Sequence, residues 1–287
     1  MIKFSCEKVF LQNAIAVTSR AVAQKSSIPA LEGLLIHADQ QLTISGYNMQ
    51  TGIRTNVFAN VVEGGDIVLN ARLFGDMQTG IRTRFPVEEQ EGGELVLSAR
   101  LFGDIIRRMP DDMITFTADE KMMVHVSCGD ADFDILGLSA ADYPDLPEVE
   151  DEYAVSMQQK VLRSMIEEVA FAVSTNESRP VHTGALFEIA DMSLSMVAVD
   201  GFRLAFRREK LEKLEGGAFS FVCPGSALSE VKSICGDTED LVTVTLGKRH
   251  ILFEIGDTQL ICRRLEGEFL DYKNAIPRKN PIQIVAE

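Results

Sequence analysis

The sequence predicts an α+β fold made of repeated units, each with two helices and mainly antiparallel sheets. Three observations carry this expectation. FSCEKVFLQNAI (Phe4–Ile15) returns in its polar and apolar pattern as VSMQQKVLRSMI (Val155–Ile166), 151 positions later. Apolar residues share one helical face at Phe10, Leu11, Ala14 and Ile15, and again at Val161, Leu162, Met165, Ile166 and Val169. Short stretches alternate apolar and polar residues as strands do: Leu42–Ser45, Ile114–Thr117, Val124–Ser127, Leu241–Thr245 and Ile251–Ile255. Strands and helices do not alternate regularly, so parallel βαβ architecture is not expected.

Taken in order, each unit opens with a strand and the first helix. A second helix follows at Ala99–Met109, stopped by Pro110, with its counterpart at Ser226–Ile234. At the 151-residue offset Pro29 meets Pro180, Gly33 meets Gly184 and Leu35 meets Leu186. Downstream the offset falls to about 126, where Phe102 meets Leu228 and Ile105 meets Val231. The fall matches a second, tandem repeat. MQTGIRT at Met49–Thr55 recurs at Met77–Thr83, and ARLFGD at Ala71–Asp76 recurs at Ala99–Asp104, both 28 positions apart. Residues 49–76 and 77–104 are therefore adjacent copies inside the first unit. Only one copy of ARLFGD can fill the unit's helix slot, and Ala99–Asp104 is expected there because IIRRMPDD follows it. The expected division is a first unit at 1–147, a second at 153–271 after the acidic, proline-bearing linker, and the opening strand of an incomplete third at 272–287.

Composition sets bounds on function. The chain has 287 residues, 46% of them hydrophobic, enough for two or three packed domains. No apolar run is long enough to span a bilayer and no signal peptide opens the chain, so a cytoplasmic location is expected. The five cysteines (Cys6, Cys128, Cys223, Cys235, Cys262) are scattered and form no Cys-x-x-Cys pair, which points to buried reduced thiols and no metal site. A net charge of −15 argues against binding nucleic acid with the whole surface. It leaves open two routes to DNA: basic residues gathered on one face, or retention by topology.

Six blocks in order then carry a resemblance: MIKFSCEKVFLQNAIAVTSRAV, SSIPALEGLLIHA, SARLFGDIIRRMPDD, SRPVHTGALFEI, AVDGFRLAF and EGEFLDYKNAIP. Together they resemble the bacterial replicative sliding clamp, the beta subunit of DNA polymerase III, along nearly the whole chain. The resemblance implies a DNA-clamp fold of repeated domains whose helices line a central hole and whose sheets form the rim. It implies a processivity factor without catalytic residues of its own, an accessory subunit of the DNA polymerase III holoenzyme that needs no cofactor. The implied partners are duplex DNA without sequence preference, the polymerase III alpha subunit, the clamp loader and other proteins with clamp-binding motifs. In the family two subunits close a homodimer ring; this chain, which stops as a third unit begins, is not expected to close it. The alternatives are a non-encircling two-domain peptide-binding adaptor or a non-functional clamp fragment.

Site residues follow from the matched positions. DNA-facing positions are Lys25, Arg100, Asn176, Pro180 and Val181, joined by Arg107 and Arg179; Lys8, Arg20, Arg108, Lys160, Arg163 and Lys232 also lie on or beside the helices. Without the resemblance, such charges read as solvated helix faces. A pocket for partner peptides is implied at His182, Val199, Gly201, Phe202, Arg203 and Leu204, with Leu270, Asn274 and Ala275 from the connection beyond the second unit. His182 stands where the family usually has an apolar residue, and Asn274 where a basic one is common. Asp200-Gly201 is also readable as a plain tight turn between two strands.

Enzymatic motifs are missing from the sequence: no glycine-rich phosphate loop, His-Glu-x-x-His or Gly-x-Ser-x-Gly occurs. A Cys–His nucleophile at His125 and Cys128 is conceivable, but three apart on an expected strand they point to opposite faces, so a buried thiol and an edge-strand histidine are expected.

Overall fold

The computed structural model describes residues 2–38, 42–57, 59–63, 65–70, 77–80, 99–119, 121, 123–136, 143–149 and 153–276. The chain runs twice through the same order of elements. The first pass is β1 (Ile2–Glu7), α1 (Lys8–Thr18), β2 (Gly33–Ala38), β3 (Leu42–Tyr47), β4 (Met49–Val57), β5 (Ala59–Glu63), β6 (Gly65–Asn70), β7 (Met77–Gly80), α2 (Ala99–Arg108), β8 (Met113–Ala118), β9 (Met123–Cys128) and β10 (Ala131–Leu136). The second is β11 (Tyr153–Gln158), α3 (Gln159–Val169), β12 (Gly184–Ala190), β13 (Ser193–Val199), β14 (Leu204–Lys210), β15 (Lys213–Glu215), β16 (Phe219–Pro224), α4 (Gly225–Ile234), β17 (Leu241–Leu246), β18 (His250–Ile255) and β19 (Thr258–Arg263), with a terminal turn α5 (Tyr272–Ala275). Among the described strands β7, from the tandem copy, has no counterpart in the second pass.

Pairing repeats as well. β1 lies between β5 and β8 as β11 lies between β15 and β17, and β2 lies between β3 and β6 as β12 lies between β13 and β16. The two passes are joined by sheet: β19 pairs antiparallel with β4, Thr258 opposite Thr55 through Cys262 opposite Thr51. One sheet therefore crosses from the first unit to the second.

Each unit has its own core. In the first, Phe4 stacks on Phe116 with centroids 4.7 Å apart, and Phe102 of α2 meets Phe116 edge-on at 6.0 Å. In the second, Phe187 stacks on Phe221 at 4.9 Å, and Leu162, Met165, Ile166 and Leu228 close over them. Ala21 and Ile53 of the first unit join this second core. Gly46 permits the close approach of α1 to β3, since a Cβ there would stand 2.2 Å from the Thr18 carbonyl oxygen. The linker is anchored too: Tyr143 and Leu146 pack against Ala23, Leu31 and Tyr47.

Two expectations need correction. Phe10 is 38% exposed, because the buried stripe of α1 is Lys8, Leu11, Ala14, Ile15 and Thr18, a spacing that leaves Phe10 to one side. Lys8 does not face outward. It is 9% exposed, and its Nζ donates to the Met109 carbonyl oxygen at 2.6 Å and to Asp111 Oδ1 at 2.7 Å, tying α1 to the end of α2.

All five cysteines are free and buried; burial pushes the Cys6 and Cys235 thiols up to about 12. Among the described residues no helix is long and apolar enough to cross a membrane. The strand expected at Ile282–Ala286 and the first ARLFGD copy lie outside the described residues.

The structure also explains how the tandem copies are used. The first supplies β4, β5 and β6; the second supplies β7 and the start of α2, Ala99–Asp104. Phe102, Ile105, Ile106 and Met109 of α2 are all buried. The first copy would put Phe74, Met77, Gln78 and Ile81 at those places, burying the Gln78 amide at the site of Ile106. An unpaired buried amide costs about 1–3 kcal/mol. The second copy would in turn place Glu89 opposite Phe4, where β5 has Val61.

Candidate functional site

Two surfaces emerge from these elements. The first is the helix layer. α1 packs on α2 and α3 on α4, and Arg20, just past α1, reaches Glu230 of α4 at 3.2 Å across the unit boundary. α1–α4 and Arg20 carry eight cations (Lys8, Arg20, Arg100, Arg107, Arg108, Lys160, Arg163, Lys232) against four carboxylates (Asp104, Glu167, Glu168, Glu230). A chain of net charge −15 thus has an excess of positive charge on its helices. Several of these cations are paired: Arg107 with Asp104 at 2.8 Å, Lys160 with Glu239 at 2.5 Å, Arg163 with Glu167 at 3.6 Å. These are exposed pairs worth little on their own, so the cations can exchange partners. Arg100 and Arg108 are exposed and form no ion pair among the described residues.

The turns after the first helix of each unit extend this layer. Lys25 is exposed between the 3-10 turns Ser19–Ala21 and Pro29–Glu32. Asn176, Arg179 and Pro180 are exposed in the equivalent stretch of the second unit, and Val181 is half-buried. There Asn176 Oδ1 accepts from the Ser178 N–H at 2.9 Å, and the Arg179 carbonyl oxygen accepts from the His182 N–H at 3.0 Å. Burial, with the neighbouring Arg179 charge, lowers the His182 pKa and keeps the ring neutral.

The second surface is the outer face of the sheet β14-β13-β12-β16. Its tip is the turn between β13 and β14. Asp200 accepts from the Phe202 and Arg203 N–H groups at 2.9 and 2.8 Å and from Arg203 Nε at 2.8 Å; these bonds hold its carboxyl down to about 2. Gly201 sits at φ +91°, where a side chain would be strained. The turn thrusts Phe202 out, 98% exposed, and places the Arg203 guanidinium 5.8 Å from the Phe171 ring. Val199 stands opposite Leu204 in the ladder. Leu204, Phe206 and Arg208 alternate onto the face turned from the core, beside Val197 and Leu186.

The connection after β19 crosses this face. Phe269 meets His182 edge-on at 5.5 Å, Tyr272 stacks on Phe206 at 5.7 Å, and the Tyr272 hydroxyl donates to Glu188 Oε2 at 2.8 Å. Lys273 Nζ pairs with Glu188 Oε1. The Lys273 bond chiefly, with that from Tyr272, lowers the Glu188 pKa and raises that of Lys273. A cavity of about 630 Å³ opens between sheet and connection, lined among others by Leu186, Val222, Leu265, Phe269 and Leu270.

The expected pocket residues are thus only partly gathered. Val199 and Leu204 share the face that the connection crosses, and His182 touches the residue before Leu270. Asn274 is turned back on its own segment, its Nδ2 donating to Asp271 Oδ2 at 2.6 Å. Ala275 is exposed beside Ile276, which lines a second cavity with Ala190 and Asp191, at the end of the hairpin away from Leu204. Phe206, Glu188, Tyr272 and Lys273, which organise the face, are absent from the expected set. Two-residue alternation from Leu204 gives Phe206; nothing local marks Glu188. Among the described residues no His, Cys, Asp and Glu cluster suits a metal ion.

Comparison with known proteins agrees with this geometry. A family model described as the N-terminal domain of the DNA polymerase III beta subunit matches residues 2–87 and 78–147, and one described as its central domain matches 156–271. A beta sliding clamp from Halalkalibacterium halodurans is 32% identical over 94% of this chain and 67% of its own length. That from Bacillus subtilis is 27% identical over 99% of this chain and 70% of its own. The crystal structure of a DNA polymerase sliding clamp from Bacillus subtilis superposes with a TM-score of 0.83 at 26% identity, covering 97% of this chain and 68% of that one.

Proposed function

The chain belongs to the DNA polymerase III beta subunit family, and we propose that it acts as a sliding clamp, a non-catalytic processivity factor holding polymerase on duplex DNA. The observation that carries the reading is the helix layer. Two copies of one unit are joined by a continuous sheet, and their helices carry a net positive charge in an otherwise acidic chain. Diffuse contacts of this kind suit a protein that slides, since phosphate contacts position without reading sequence. In this reading 1–147 and 153–271 are the two clamp domains. Arg100, Arg107 and the turn residues Lys25, Asn176, Arg179, Pro180 and Val181 face the duplex.

The outer face of the second unit is the docking site for partner peptides such as the polymerase's. Val199, Leu204 and Leu270 supply apolar wall, Gly201 and Arg203 shape the turn, Phe202 offers exposed aromatic surface, and His182 forms a neutral rim. Asn274 and Ala275 border it as part of the connection. The compartment that fits is the cytoplasm, where DNA and polymerase are.

Retention on nicked circular DNA, measured by gel filtration before and after linearisation, tests the clamp. Loss of protein from the DNA on linearisation is the expected result; it requires a closed ring, contrary to the expectation from the sequence that this chain does not close one. Peptide binding with no retention on circles would leave the adaptor reading.

A further inference from the structure

The duplication itself has no role in the clamp reading, yet it repeats the residues that join the two units. β19 pairs with Thr51, Gly52, Ile53, Arg54 and Thr55 of β4, and all five recur unchanged at Thr79, Gly80, Ile81, Arg82 and Thr83. β3 pairs with Gly52–Val57; there only Asn56 and Val57 change, to Arg84 and Phe85. β6, which pairs β2 through Ile67, Val68 and Leu69, has a close substitute in Leu95, Val96 and Leu97. A buried strand normally has one register because any slip turns its apolar residues outward. Here a slip of one whole copy puts an identical residue at every junction position.

The structure already brings the second copy to the slot. β7 runs parallel to β4 in the repeat's own register, Met77 beside Met49 and Gln78 beside Gln50, and lies against β19 as well. We propose that Met77–Thr83 and Met49–Thr55 are alternative occupants of the slot between β3 and β19, exchanging within one molecule. The observed arrangement is favoured by β5, where Val61 lies opposite Phe4, and by Asn56, which accepts a hydrogen bond from Thr43 Oγ1 at 3.0 Å. Neither interaction touches the joint to β19, so exchange leaves the unit boundary chemically unchanged.

Paired cysteines in the full-length chain test this. Thr55 and Thr258 are directly opposed, their hydroxyl oxygens 3.4 Å apart, so Thr55→Cys with Thr258→Cys reports the observed arrangement. Thr83→Cys with Thr258→Cys reports the exchanged one. After mild oxidation with diamide, peptide mass mapping should find an intramolecular 83–258 link in a minor fraction of chains. Ile53→Asp, which buries a carboxylate in the second core, should raise that fraction several-fold while the chain stays folded, since Ile81 takes the vacated place; Ile81→Asp should abolish it. Absence of the 83–258 link in both backgrounds, a link formed only between two chains, or unfolding by Ile53→Asp alone would overturn the proposal.

Discussion

Excising residues 77–104 is the sharpest check on how the first unit is built. The deletion joins Asp76 to Ile105, so ARLFGD of the first copy runs straight into IIRR and α2 keeps every side chain. The second unit shows that this geometry works: β16 ends at Pro224 and α4 begins at Gly225 with no residue between them. β6 and α2 are the matching pair, already in contact, and are separated only by the 28 residues 71–98. Closing a loop of that length costs about 3 kcal/mol of chain entropy, which the deletion removes. Loss of the two β4–β7 pairings offsets about 1 kcal/mol. A net gain of about 2 kcal/mol corresponds to a rise of roughly 3–4 °C in melting midpoint for a chain of this size. Thermal unfolding followed by circular dichroism, parent against deletion, measures it. A midpoint below the parent's would show that the second copy makes core contacts beyond α2 and would refute this account.

Other expectations follow from single sites. Phe102→Ala should cost about 3–5 kcal/mol in urea unfolding, because the ring is fully buried against Phe116. Glu188 has a lowered pKa, so its contribution is present above the ordinary glutamate range and lost as pH falls through the lowered value; Glu188→Gln should flatten the acid-side fall in melting midpoint. Arg100→Ala combined with Arg107→Ala should reduce the slope of log affinity for duplex DNA against log salt by about 2, one per phosphate contact. A double-mutant cycle on Arg20 and Glu230 should return a coupling of no more than about 1 kcal/mol, since the Arg20 side chain is 46% exposed.

Local pattern made much of the fold legible. Helical periodicity located α1 and α3, Pro110 marked the end of α2, and alternation found β3, β8, β9, β17 and β18. Phe10 and Lys8 were misplaced for one reason: periodicity gives a stripe but not its centre, and a lysine whose ammonium meets a carbonyl and a carboxylate at a helix end can occupy it. The turn at Asp200–Arg203 was visible in its residue types. Glu188 and Tyr272 were not, because a hydrogen bond between residues 84 positions apart leaves no trace in either neighbourhood.

What the sequence determined by itself is the repeat: two like units, one interrupted by a tandem copy, since identical patterns of burial and turn chemistry demand identical local structure. What only the tertiary structure decided is how the copies are shared out and how the units meet. The strands of one copy and the helix of the other were selected by long-range packing, the burial of Ile106 instead of Gln78 and the pairing of Val61 instead of Glu89 opposite Phe4. β4 meets β19 because each would otherwise leave backbone groups unpaired along one edge, and the matching edge lies far away in the chain.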